Sequence, residues 1–317
     1  MALFIGLDLG GTNLKYALGS ENGDILIKRS RPSNADQSQE AIFETMFASI
    51  EELMSEANDQ NEKVMAIGVG SPGSIDIHEG KLLGSTPNIQ AWTNAPIKKK
   101  LEERFSIPVW ADNDANIMAL AEARKGAGRG FNNILCLTLG TGIGGGIVIN
   151  GEVLRGSHFS AAEVGHVIID YKGKLCKCGN RGCFEVYASA TAMVERYQQK
   201  LKAAGISFNP GEIDAKLIFE RAAKKEIQAT ETINETCQFL SIGIVSIANI
   251  IDPEVVVIGG GISEAGDDFI RQTEKMVKNF GIKSITQSIK LVRAQMGNDA
   301  GIIGAILLAA ENFNKKL

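Results

Sequence analysis

The residues best equipped for chemistry lie between positions 163 and 185. Glu163-Val-Gly-His166 is followed by Cys176-Lys-Cys178-Gly-Asn-Arg-Gly-Cys183-Phe-Glu185, which gathers an imidazole, three thiols and two carboxylates in one short stretch. Zn2+ takes four tetrahedral nitrogen and sulfur ligands, and His166, Cys176, Cys178 and Cys183 supply that set. Gly179 and Gly182 give the loop the freedom to bring three thiolates together. Four protein ligands leave no open coordination position, so the expected zinc is structural and not a Lewis acid. A redox pair, a disulfide or reduced surface cysteines are the alternatives. One residue separates Cys176 from Cys178, where a thioredoxin-like pair has two, and 5 cysteines in a chain this long make a poor disulfide framework. Cys136 and Cys237 lie in apolar runs and read as small buried hydrophobes.

Two glycine turns could hold anions. Phe4-Ile-Gly-Leu-Asp8-Leu-Gly10-Gly11-Thr12, followed by Leu14 to Leu18, is mirrored by Ile134-Leu-Cys-Leu-Thr-Leu-Gly140-Thr141-Gly142, followed by Ile143 to Ile149. In each, backbone N–H groups can approach a phosphate, a threonine adds a hydroxyl, and in the first Asp8 is placed to hold a metal through water. A plain hairpin turn with a capping Asp is the alternative for the first turn alone; the pair points to an internal duplication. Gly259-Gly260-Gly261, after the apolar run Val255 to Ile258, permits close approach of a flat ligand or a phosphate. Asn113-Asp114-Ala115-Asn116 opens an apolar helix running to about Lys125, where a carboxylate is stabilised in its ionised form. Asp114 is there either a helix cap or a functional group.

The elements that must position these groups follow from periodicity. Leu3 to Leu9, Leu14 to Leu18, Ile25 to Arg29, Val64 to Val69, Pro108 to Ala111, Ile134 to Leu139, Ile143 to Ile149 and Val255 to Ile258 read as strands. Apolar residues at three- and four-residue spacing from Ile42 to Ala57 predict an amphipathic helix whose Phe and Met stripe is core contact. Further helices are expected over Tyr187 to Ala204, over Glu212 to Ala223, in a long run ending near Ile251, and over Gly301 to Ala310, the last returning to cover the first lobe. Lys98, Lys99 and Lys100 form a solvated helix face, and His78 and His158 are loop residues.

The chain has 317 residues, long for one core, so two lobes are expected. Its net charge of -4, from 33 basic and 37 acidic residues, carries no footprint for nucleic acid. No charged leader precedes Asp8, and the longest apolar run, Phe239 to Ile251, is interrupted by Ser241, Ser246 and Asn249; a cytoplasmic protein without membrane contact is expected. Reduced thiols fit that compartment.

Taken together, Asp8 to Thr12, Ser71-Pro-Gly, Pro87-Asn88, Asn113-Asp-Ala-Asn116, Leu139 to Gly146, Glu163-x-Gly-His166, the Cys176 to Glu185 stretch and Val257-Ile-Gly-Gly-Gly-Ile resemble, in content and order, the ROK family of sugar kinases and repressors. The resemblance implies an α/β, two-lobed actin/hexokinase-like fold with ribonuclease-H-like cores and a ligand cleft between the lobes. It implies a small lobe of 1–113 with a C-terminal helix at 301–317, and a large lobe of 114–300 carrying the zinc loop at 166–183. It further implies that Asp8, Gly10, Gly11, Thr12, Gly140, Thr141 and Gly142 face the phosphates of ATP with Mg2+, and that Gly260 and Gly261 border the adenosine. Asn88, Asn113, Asp114, Glu163, His166 and Glu185 match sugar-contacting positions, with Asp114 as the base that takes a proton from the sugar 6-hydroxyl. His166 would serve twice, since metal ligation fixes its tautomer and makes its other nitrogen a directed donor.

A homodimeric ATP-dependent glucokinase is the implied activity, with an N-acetylhexosamine kinase or a fructokinase as the close alternative. Where the family shows Ala-Gly-Glu-x-Gly-His, this chain has Ala161-Ala162-Glu163, preceded by Phe159, which bears on sugar identity. A sugar-sensing repressor would be expected to carry a DNA-binding domain before Asp8, where only seven residues stand and no basic segment occurs. A chaperone- or actin-like ATPase gives no reason for the cysteine loop.

Overall fold

The computed structural model describes residues 2–86 and 89–316. It divides into two compact units, one of 1–126, 153–161 and 298–317 and the other of 127–152 and 162–297. In unit 1 the apolar runs become β1 (Leu3–Leu9), β2 (Asn13–Ser20), β3 (Ile25–Pro32) and β4 (Val64–Ser71). Two short hairpins follow, β5 (Ile75–Asp76) with β6 (Lys81–Leu82) and β7 (Ser85–Thr86) with β8 (Ile89–Thr93), and then β9 (Val109–Asn113). The main sheet runs β3-β2-β1-β4-β9, with β1, β4 and β9 parallel and β2 and β3 antiparallel.

Helix α1 (Gln39–Asp59) buries Ile42, Phe43, Met46, Ile50 and Leu53, the stripe expected from its periodicity, and Ser38 caps it by accepting from the Ala41 N–H. Helices α2 (Ile97–Phe105) and α3 (Asp114–Arg124) follow. The closing helix, α10 (Ala300–Lys316), lies against β1, β4 and α3. Its backbone approaches so closely that a Cβ on Gly68 would sit 1.8 Å from the Ala305 carbonyl oxygen, and one on Gly304 would sit 1.8 Å from that of Ile117. Ile302, Ile306 and Leu308 are buried there, each contributing about 1.5–3 kcal/mol.

Unit 2 repeats the plan. Strands β10 (Ile134–Leu139), β11 (Ile143–Ile149), β12 (Glu152–Val153), β13 (Val255–Gly259) and β14 (Lys290–Arg293) form a sheet ordered β12-β11-β10-β13-β14, again with one antiparallel hairpin and parallel crossovers. The expected duplication is therefore a topological one. Its helices are α4 (Glu185–Ala188), α5 (Ala190–Ala203), α6 (Ala215–Ala223), α7 (Ile227–Ile251), α8 (Asp267–Asn279) and α9 (Lys283–Thr286). Among the described residues no helix is long and apolar enough to cross a membrane.

Three boundaries differ from the sequence expectation. Ser189 is extended (ψ 166°) and caps α5 through Ala192, which breaks the helix expected from Tyr187 onward into α4 and α5. Asp214 caps α6, so that helix begins at Ala215 after a 3-10 turn at Pro210–Glu212. The division expected at 113/114 lies at Gly126, because α3 packs on α10, and 153–161 also belongs to unit 1.

Candidate functional site

In unit 2 the loop after β11 brings His166, Cys176, Cys178 and Cys183 together, with their ligand atoms all within 4.8 Å of one another. Cys178 Sγ lies 3.5 Å from Cys183 Sγ, and Cys176 Sγ lies 3.8 Å from His166 Nδ1. A tetrahedron with arms of about 2.3 Å has edges of about 3.8 Å, so the donor set is compatible with a zinc ion. Electrostatics agree. Burial pushes the Cys176 thiol up to about 12, and Glu185 Oε1 accepts from it at 3.1 Å, so a neighbouring cation is needed to keep that sulfur ionised. The exposed Cys178 is lowered by the backbone N–H of Asn180. Since Nδ1 of His166 faces the sulfurs, Nε2 is the nitrogen left for another partner.

The second glycine turn borders this cluster. A Cβ on Gly142 would meet Glu185 Oε2 at 2.6 Å, so Glu185 stands between the turn and the thiols, its Oε1 3.9 Å from His166 Nδ1. Phe184, fully buried, fixes this carboxylate by filling the space beside Gly243 on α7. The first N–H of α5, from Ala190, donates to the Gly140 carbonyl at 2.9 Å. Gly260 has φ +83° and sits against β10, where a Cβ would lie 2.5 Å from the Leu139 carbonyl oxygen; only glycine fits. Gly140, Gly142, Gly260 and Glu185 thus surround the carboxyl end of β10, with Thr141 and Gly261 exposed beside them.

In unit 1 the corresponding group gathers at the carboxyl ends of the parallel strands, the usual place for ligands in such sheets. Gly10 N–H bonds the Asn13 carbonyl at 2.9 Å, shaping a turn in which Gly11 and Thr12 are exposed. Asp8 lies against the first turn of α10, where a Cβ on Gly301 would fall 2.4 Å from Asp8 Oδ2. Burial raises the Asp8 carboxyl above its ordinary value, and the charge of Lys15 pulls it partly back. Lys15 itself is held by the Asn298 carbonyl at 2.9 Å and Oδ1 at 2.6 Å.

Asp114 stands at the start of α3, where its Oδ1 accepts from the Ala115 N–H at 2.9 Å. Asn113 is the N-cap of α3, its Oδ1 accepting from the N–H groups of Ala115 and Asn116, while Asp114 is the first helical residue. Asn113 Nδ2 donates to the Gly73 carbonyl at 3.0 Å, tying the cap to the Ser71-Pro72-Gly73 turn, and Ser71 Oγ accepts from Trp92 Nε1. Asn88 lies outside the described residues.

The stretch before His166 carries backbone strain. Ala162 has φ +65° and Phe159 φ +56°, both in the left-handed region that favours glycine. Phe159 meets the ring of His78 edge-on, with centroids 5.6 Å apart. Glu163 is exposed at the entry of the 3-10 turn Val164–His166. Sequence reasoning missed Asp112 and Arg155, which meet in unit 1 at 2.7 Å. Asp112 adjoins the Asn113-Asp114 motif, but its partner is far along the chain and no periodic pattern marks it.

Comparison with known proteins covers the whole chain. A profile of the ROK family matches residues 4–312. A glucokinase of Thermotoga maritima is 37% identical, with 98% of this chain and 98% of that protein covered. One of Halalkalibacterium halodurans is 35% identical, with 98% and 96% covered. A putative xylose repressor of Caldicellulosiruptor sp. is 32% identical, and this chain covers 79% of it. Among solved structures, a ROK family glucokinase from Streptomyces griseus in complex with glucose and AMPPNP superposes with a TM-score of 0.79 at 32% identity, covering 98% of this chain and all of that one. A putative N-acetylmannosamine kinase from Listeria monocytogenes superposes with a TM-score of 0.80 at 27% identity, covering 99% of each chain.

Proposed function

The chain belongs to the ROK family, and from that membership we propose that it is an ATP-dependent hexose kinase that phosphorylates the 6-hydroxyl of glucose. The observation that supports the reading is the placement of Asp114, a carboxylate at the first position of α3, at the carboxyl end of β9 and next to the Asn113 cap. Asp114 accepts the proton of the 6-hydroxyl as the sugar oxygen bonds to the γ-phosphorus; the bond to the β,γ-bridging oxygen breaks and ADP leaves. Such a transfer needs positioning and charge neutralisation more than covalent help.

The backbone donors of Gly10, Gly11 and Thr12, and of Gly140, Thr141 and Gly142, face the phosphates. Asp8 would hold Mg2+ through water, and the ion would neutralise phosphate charge. Gly260 and Gly261 border the adenosine. Asn88, Asn113, Glu163, His166 and Glu185 hold the sugar; His166, Cys176, Cys178 and Cys183 would hold a structural zinc, which would fix the orientation of His166. The protein acts in the cytoplasm as a homodimer and binds no nucleic acid.

Ala162, held at φ +65° directly before Glu163, favours a second acceptor, an N-acetylhexosamine or fructose. The deciding experiment is release of nucleoside diphosphate from Mg-ATP with glucose, fructose, mannose, N-acetylglucosamine, N-acetylmannosamine and no sugar. A response to glucose above the others supports the reading; a response to an N-acetylhexosamine moves the acceptor; hydrolysis without sugar, or silence throughout, overturns it.

A further inference from the structure

Asp112 is the penultimate residue of β9 and only 2% exposed, yet both its oxygens are engaged. Oδ1 accepts from the Asn113 N–H at 2.7 Å and from Asn116 Nδ2 at 3.0 Å. Oδ2 accepts from Arg155 Nε at 2.7 Å. Asp112 therefore grips the residues on both sides of Asp114, the cap before it and Asn116 in the first turn after it. Its counter-charge comes from a segment whose chain neighbours on both sides belong to the other unit. Arg155 Nη1 also donates to the Val153 carbonyl at 3.3 Å, and its own carbonyl accepts from the Ala161 N–H at 3.1 Å, closing a loop. A second attachment, Ser160 Oγ to Ser74 Oγ at 2.8 Å, holds the far end of that loop.

We propose that Arg155 and Asp112 are positioning residues for Asp114: the buried pair fixes the direction of the Asp114 carboxylate. The inference rests on the kinase reading. Removing one partner of a buried pair leaves the other without its hydrogen bond, and the guanidinium Nε supplies a directed donor that an ammonium does not reproduce. Losing it frees the first turn of α3 to shift, and a displacement of about 1 Å at a reacting group costs about 10²-fold in rate.

The test uses the full chain with Arg155→Ala, Arg155→Lys and Asp112→Asn. Arg155→Ala is expected to lower kcat about 10²-fold while the KM for Mg-ATP stays within about twofold, and guanidinium chloride at non-denaturing concentration restores part of the rate. Arg155→Lys falls between. Asp112→Asn keeps an acceptor for Asn116 but turns an N–H toward Arg155, and it loses kcat with the fold intact. A merely structural pair would lower thermal stability, leave the kcat of the folded fraction unchanged and give no response to guanidinium; that result, or kcat within about twofold of wild type in both Arg155→Ala and Asp112→Asn, overturns the proposal. If wild type itself shows no hexose-dependent turnover, the kinase reading has failed, and amide exchange decides the positioning claim alone. Faster exchange at Ala115 and Asn116 in Arg155→Ala, with β1 unchanged, supports it; unchanged exchange there overturns it.

Discussion

The two sheets share a strand order and a glycine turn, and they differ at one position of matching register. Asp8 pairs with Lys15 across β1 and β2, one step before Leu9 and Leu14, and lies beside Gly70 of β4. At the same step in unit 2, Thr138 pairs with Gly144, one before Leu139 and Ile143, and lies beside Gly259 of β13. One copy thus carries near the end of its central strand a half-buried carboxylate with a lysine, the other a hydroxyl that packs where a Gly144 side chain would stand. A common backbone frame explains why both turns can face phosphate. In the proposed kinase the carboxylate at that position would hold a cation and the hydroxyl would not. Unit 1 accordingly carries Asp8 and Asp114, the carboxylates proposed to act in the transfer, whereas unit 2 carries Glu163, Glu185 and the His/Cys cluster, proposed to shape the sugar site.

The contrast breaks first at Asp114. Asp114→Asn keeps the side-chain volume and, with Asn113 as cap, the helix; turnover should fall by about 10²–10⁴-fold, as for loss of a general base, with hexose KM little changed. Steady-state kinetics check it, and near wild-type kcat would remove the chemistry from unit 1.

Asp8→Asn sharpens the comparison when set beside Thr138→Val at the matching position. Asp8→Asn should cost about 10²-fold in turnover and raise the Mg2+ needed for half-maximal rate, whereas Thr138→Val should stay within about threefold of wild type. Stability adds a second sign. Burial raises the Asp8 carboxyl above 3.8, so the folded state binds the proton more tightly than the unfolded chain. Stability from this group therefore falls as pH rises from 3.8 through the native value, and above it the ionised carboxylate is a standing cost. Metal-free Asp8→Asn should melt higher than metal-free wild type at neutral pH, and the order should narrow or reverse with Mg-ATP present.

Cys178→Ser probes the other unit and should produce the opposite kinetic pattern. With one zinc ligand gone, zinc content and thermal stability fall, and hexose KM rises about tenfold or more while kcat falls less. Metal analysis and saturation kinetics on the same preparation test this; zinc loss with normal hexose saturation would separate the cluster from sugar binding.

Much of this arrangement can be read from the chain because its signals are local. Alternating and continuous apolar runs mark both sheets, the three- and four-residue spacing from Ile42 to Leu53 marks α1, and the spacing of His166, Cys176, Cys178 and Cys183 marks the cluster. What escapes depends on partners distant in sequence. Ser189 breaks a helix that propensity would continue, Asn113 takes the cap that Asp114 could equally have made, and the Arg155–Asp112 pair joins residues 43 apart. The contact of α3 with α10, which moves the unit boundary to Gly126, depends on Gly304 allowing the approach, and a lone glycine in a helix does not announce what it approaches.

The smallest expected effect concerns the one place where the chain departs from the family's usual glycine. Ala162 is held at φ +65°, a conformation that costs a residue with a Cβ about 1–2 kcal/mol. Ala162→Gly removes that strain but adds freedom to the unfolded chain, worth about 0.4–1 kcal/mol against the variant. The difference favours glycine by about 0.5–1 kcal/mol, a rise in melting temperature of about 1–4 °C. Because the strained residue adjoins Glu163, the same variant reads the sugar side of the comparison. If Ala162 tunes acceptor choice, the ratio of kcat/KM for glucose to that for N-acetylmannosamine shifts while kcat with the better sugar stays within about twofold. A higher melting temperature with an unchanged ratio would assign the alanine to backbone strain alone and leave acceptor choice to Phe159 and the side chains that touch the sugar.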